Sequence, residues 1–133
     1  MDLLLVQEDL NKIQACLRRV LERSGAHAVL LIDRSGQLIS CWGDKGEEDS
    51  VALAALTAAN FGATAAIARL LGENDFSLLF HKGKEENIHF ASVGEEFLLV
   101  TLFDNKASLG LVRLHVEKAI QELTRILKAI LGR

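Results

Sequence analysis

The sequence predicts an α+β fold in which a five-stranded antiparallel sheet is flanked by helices, in the order α-β-β-α-β-β-β-α. Three observations carry that expectation. Apolar stripes with helical period occupy the first, middle and last parts of the chain. Short apolar runs bounded by glycine and other turn residues lie between them. The turns within each group of strands are too short for crossovers, so neighbouring strands run antiparallel.

Residues 7–24 place Leu10, Ile13, Leu17, Val20 and Leu21 on one helical face, and Gly25 stops that helix. Residues 27–33 read as a buried strand. Arg34-Ser35-Gly36 makes a tight turn into a second strand over residues 37–42, giving a hairpin. A polar loop over residues 43–48 follows. Asp49 or Ser50 is expected to cap a second helix that runs to Leu71 and ends at Gly72. Strands over residues 76–81, 87–93 and 97–103, turning near Gly83 and Gly94, form a meander. Ser108 caps a last helix lined by Val112, Val116, Ile120, Leu123, Leu127 and Ile130.

The length of 133 residues suits one domain, spanning 1–133, with a real core. A hydrophobic share of 50% and a charged share of 25% exclude a disordered or fibrous chain. A net charge of −3 with no basic stripe and no tyrosine gives no reason to expect nucleic acid. The apolar start Leu3-Leu4-Leu5-Val6 is preceded by Asp2 and followed by Glu8 and Asp9, unlike a secretory signal. No stretch is expected to reach the length of a membrane span, so no membrane insertion is expected. Cys16 on a helical stripe and Cys41 in a strand read as small buried hydrophobes of a cytoplasmic protein.

Catalytic signatures are missing from the sequence. It contains no G-x-x-x-x-G-K-[ST] loop, no C-x-x-C and no H-E-x-x-H. His81 and His89 are expected to lie opposite each other across a strand pair near a turn. Two histidines make half a zinc site, with no third ligand placed by spacing, and they read as polar strand residues. Asp33 and Asp104 end strands and are expected to serve turns. No catalytic residue, cofactor or metal is therefore expected, and the function falls to protein binding.

The second helix carries the informative anomaly. Leu53, Leu56, Ala63, Ile67 and Leu71 are expected to cover the sheet. A solitary domain would then put charges on the other face. That face instead carries Val51, Ala54, Ala55, Ala58, Gly62, Ala65 and Ala66, with Arg69 its one charge. Ala58, Gly62 and Ala66 recur at four-residue steps, which permits close approach of another backbone. Alanine favours helix, but Gly62 at mid-helix costs about 1 kcal/mol relative to alanine. This face is expected to meet another protein.

The third strand adds a second signal. Phe76, Ser77, Leu78, Leu79 and Phe80 make it apolar on both faces, and the first strand of a meander can lie at a sheet edge. Pairing with its symmetry mate would remove that edge and give a two-fold homodimer.

Taken in order, VLLIDRSGQLIS, LAALTAANFGATAAIARLLGE and FDNKASLGLVRLHVEKAIQEL resemble the Roadblock family, along nearly the whole chain. That family includes dynein light chains and bacterial regulators of small GTPases. The resemblance implies a homodimer formed by pairing third strands and packing second helices side by side. It further implies a platform for the switch regions of a Ras-like small GTPase, falling by position on Ala55, Ala58, Ala59, Gly62, Ala65 and Ala66. In the family, hydrolysis is accelerated without a donated arginine finger, by repositioning the GTPase's own groups. The adaptor or scaffold subunits of the same family supply the alternative reading. A small-ligand sensor is a third, disfavoured by the many large aliphatic residues filling the space between layers.

Overall fold

A computed structural model describes residues 5–74 and 79–132. The elements are α1 (Gln7–Ser24), β1 (Ala28–Asp33), β2 (Leu38–Gly43), α2 (Glu47–Leu70), β3 (Leu79–Lys82), β4 (Glu86–Val93), β5 (Phe97–Asp104) and α3 (Leu109–Leu131). This is the expected order. One sheet holds all five strands as β2-β1-β5-β4-β3, and every neighbouring pair is antiparallel. The central strands β1 and β5 are covered on both faces, so they read as continuous apolar runs and not as alternating ones.

Three layers result. α1 and α3 pack on one face of the sheet over Val29, Leu31, Leu99 and Phe103. α2 lies on the other face over Leu30, Ile32, Leu98 and Val100. α1 buries Ile13, Cys16, Leu17 and Val20, and Gly25 closes it in the left-handed region at φ 79°. α3 starts where the Ser108 hydroxyl accepts a hydrogen bond from the Leu111 amide at 3.1 Å. Its buried stripe includes Ala119, while Ile120 is half-buried beside it.

Several expectations need correction. α2 begins at Glu47 with Gly46 as its N-cap, so Asp49 and Ser50 lie inside the helix. The first turn holds Glu47, Glu48 and Asp49, whose charges suit the positive end of the helix dipole without a side-chain cap. At the other end Gly72, at φ 79°, donates to the Arg69 carbonyl while Glu73 donates to that of Ala68. α2 is also long and apolar enough to cross a membrane by length and composition, with a mean hydropathy of 1.7 over its best window. The expectation that no stretch reaches that length fails because alanine runs are as apolar as they are helical. In this fold Ala54, Thr57, Phe61 and Ala68 of that helix are buried.

His81 and His89 are not opposite each other. The β3–β4 register pairs His81 with Ile88 and Phe80 with His89, which sends the two imidazoles to opposite faces of the sheet. His81 packs edge-on to Phe90, with centroids 5.0 Å apart, and His89 is buried beneath α3. Asp33 and Asp104 do serve turns. Asp33 Oδ1 accepts from the Ser35 and Gln37 amides at 3.0 and 2.9 Å, and Asp104 Oδ1 from the Lys106 amide at 2.8 Å.

Candidate partner-binding surface

α2 meets the sheet through Ser50, Ala54, Thr57, Phe61 and Ala68, not through the face expected from sequence. Leu53 is half-buried, whereas Leu56, Ile67 and Leu71 are exposed. The helix is therefore turned by about a third of a revolution from that expectation. The β1–β2 turn supplies a physical reason. A Cβ added at Gly36 would lie 3.1 Å from Ala55 Cα and 3.5 Å from Ala58 Cβ, so helix and turn meet only through small residues. Beyond this contact Phe61 fills the gap, with the Arg34 guanidinium 5.4 Å from its ring centroid.

The larger aliphatic side chains are consequently turned outward. Leu56 is 69% exposed, Ile67 52%, Leu70 87% and Leu71 68%. Meanwhile the inner face includes the buried Ser50 and Thr57 hydroxyls, which have no hydrogen-bond partner among the described residues. A helix more aliphatic outside than inside inverts the usual pattern of a domain surface.

The small residues singled out by sequence divide accordingly. Ala55, Ala59, Gly62, Ala66 and Arg69 are exposed, and Ala58 and Ala65 are half-buried. Ala54, assigned to the same face, is fully buried against the sheet. Ala58 has a reason to be small within the chain, because it sits against Gly36. Gly62 has none among the described residues: a Cβ built there meets nothing within 4 Å. Sequence reasoning missed Leu56, Ile67 and Leu70 as surface residues. Their signal was the Arg34-Ser35-Gly36 turn, whose close approach requires small residues at Ala55 and Ala58.

β3 is one edge of the sheet, at the opposite end from β2. It pairs with β4 from Leu79↔Phe90 to Lys82↔Asn87, and its other side has no strand neighbour among the described residues. Phe80 stacks on Phe103 at 5.9 Å between centroids, so its ring belongs to the core under α1 and α3 and not to an outer seam. Phe76, Ser77 and Leu78 lie outside the described residues.

The loop entering α2 is tied to the sheet by His27. Its Nδ1 lies 2.9 Å from Asp44 Oδ1 and its Nε2 lies 2.8 Å from Glu86 Oε2. Two carboxylates on two ring nitrogens require both nitrogens to donate, hence an imidazolium. Partial burial opposes that charge, but the hydrogen bonds to Glu86 and Asp44 outweigh it and hold the pKa above the ordinary 6.5. A raised folded pKa gives stability that is complete below pH 6.5 and lost as pH rises through the folded value. His89 has the opposite sign. Burial, with Arg113 nearby, lowers its pKa, so it costs stability as pH falls below 6.5. Thermal midpoints measured from pH 6 to 9 should decline on the alkaline side, and His27→Gln should flatten that decline. Because both carboxylates are well exposed, the loss should be about 0.5–1 kcal/mol. An unchanged alkaline slope in the variant would remove His27 from this role.

Comparison with known proteins adds to this geometry. Residues 12–103 match the model of the Roadblock/LC7 domain. MglB of Myxococcus xanthus is 43% identical, with 89% of this chain and 96% of that one covered at a TM-score of 0.84. The gliding protein MglB of Thermus thermophilus is 34% identical, covering 96% of this chain and 97% of its own at a TM-score of 0.88. A structure of MglB with a tetrameric arrangement is 34% identical, with 97% of each chain covered and a TM-score of 0.90. From the matched domain and these relatives together, the chain belongs to the Roadblock/LC7 family.

Proposed function

We propose that this chain is a homodimeric regulator that binds a Ras-like small GTPase of the MglA type and stimulates its GTP hydrolysis. Its setting would be bacterial cell polarity or gliding motility, in the cytoplasm and concentrated at a cell pole. One observation carries the reading most: Gly62 stands exposed at mid-helix with open space around it, on the same outward side as Ala55, Ala59 and Ala66. Glycine there costs about 1 kcal/mol of helix stability, and no contact among the described residues requires it. A partner backbone approaching α2 would. Similarity to MglB from two bacteria, one described as a gliding protein, supports the choice of partner. The MglB of tetrameric arrangement supports self-association. The adaptor reading differs only in having no effect on nucleotide turnover.

The deciding experiment mixes the purified protein with the MglA-type GTPase and times phosphate release. Faster release is expected. Binding without acceleration would leave the adaptor reading, and no binding would end both.

If hydrolysis is accelerated, the chain is expected to insert no arginine of its own. Arg69 is exposed but lies in the last turn of α2, where a cation already suits the helix dipole. A donated finger contributes about 10³–10⁵-fold to turnover. Arg69→Ala, assayed at saturating regulator, should therefore cost less than about tenfold. Collapse to the unstimulated rate with binding intact would make Arg69 a direct participant.

A further inference from the structure

Charge is segregated between the layers. α1 and α3 each contain four lysine or arginine residues, against three and two acidic residues respectively, although the whole chain has net charge −3. The excess gathers where the two helices meet. A narrow cleft between them has Cys16, Val20 and Ala119 as its floor, with Arg23, His115 and Lys118 among its walls.

Among the described residues Glu122 is the one carboxylate lining that cleft, and it is taken up by Arg19 at 2.5 Å. Arg19 is held in turn by its Nε, which donates to the Ala15 carbonyl at 3.3 Å. Arg23, His115 and Lys118 have no hydrogen bond or ion pair with any described residue. The floor adds no negative charge. Burial and the neighbouring Glu122 carboxylate push the Cys16 thiol up to about 12, so it stays protonated at neutral pH. An acidic protein thus leaves basic side chains together and unneutralised over an apolar floor. An anion placed between Arg23 and Lys118 would supply the charge they lack, and the apolar floor strengthens their hold on one.

We propose that this cleft binds a phosphoryl group, held by Arg23 and Lys118 with His115 completing the donor set. The cleft is too narrow for more than one such group at its floor, so the remainder of the ligand would lie outside it. The same chemistry is offered by free phosphate and by the headgroup of an anionic phospholipid. Because the cleft lies on the sheet face opposite α2, it stays open while α2 is engaged.

Two arms test this on the full chain. In the first, inorganic phosphate is titrated while backbone amide resonances are followed by NMR. Saturable shifts are expected around Val20 and Ala119. Arg23→Glu and Lys118→Glu, both at exposed positions, should each weaken the response about tenfold. In the second, vesicles of phosphatidylglycerol or of phosphatidylcholine are floated with the protein. Capture by the anionic vesicles alone, lost in both variants, identifies a lipid headgroup; phosphate shifts without capture identify the free anion. No saturable response in either arm, or a response that both folded variants retain, overturns the proposal. GTPase stimulation is not read in either arm, so failure here is separate from failure of the proposed function.

Discussion

Gly62→Arg is expected to abolish GTPase binding while leaving the folded dimer in place. The position makes a clean probe because a Cβ there meets nothing within 4 Å among the described residues. A substitution at an idle, exposed helix position usually changes stability by no more than about 0.5 kcal/mol, and arginine is a better helix former than glycine. Against a close-packed partner the same guanidinium clashes and cannot be desolvated. Affinity should fall by more than about 100-fold, or about 2.7 kcal/mol. Ala58→Arg is expected to lose binding as well, but it is the poorer test. Ala58 lies against the Gly36 turn, so arginine there strains the chain itself. Calorimetric titration against the GTPase measures the loss, after scattering has shown that the Gly62 variant remains dimeric. Undiminished affinity would move the partner site off α2.

The second large effect is expected at the sheet edge. β3 begins at Leu79, which pairs with Phe90 on one side only among the described residues. A lysine in an edge strand opposes edge-to-edge pairing, since its charge would have to be buried at the seam beside its own symmetry mate. Leu79→Lys should weaken the dimer by about 100-fold or more, roughly 2.7 kcal/mol. Sedimentation at micromolar concentration should then give a dimer for the parent chain and a monomer for the variant. A parent chain that sediments as a monomer would sink the dimer altogether. A variant that stays dimeric would place the seam on α2 alone.

How much of this was legible in sequence depended on whether a pattern had a unique phase. α1 and α3 each carry one apolar stripe, and their buried faces follow it closely. β1 and β5 are continuous apolar runs, and both are central. α2 is apolar all round, so period alone could not say which side meets the sheet. The deciding contact, Gly36 against Ala55 and Ala58, joins residues distant in sequence. The two histidines failed for a related reason. The three-residue link over residues 83–85, closed by the Gly83 amide donating to the Glu86 carbonyl at 2.8 Å, sets the register one residue away from that expected. In a strand, one residue is a change of face. The small-residue face of α2 was visible from its composition, but the outward leucines beside it were not.

On the proposed dimer, the outward turn of α2's leucines would make protein concentration a structural variable. A chain whose exposed helix is covered only after association has no fixed melting temperature of its own. By mass action, each tenfold rise in concentration of an associating species adds about 1.4 kcal/mol to the apparent stability of the assembled form. If the proposed assembly covers this face, dilution would leave Leu56, Ile67 and Leu70 exposed together, as they are in the single chain, the condition under which chains aggregate or are degraded. Cellular abundance would then set how much of the chain persists, and subunits made in excess of their partners would be the first to be lost.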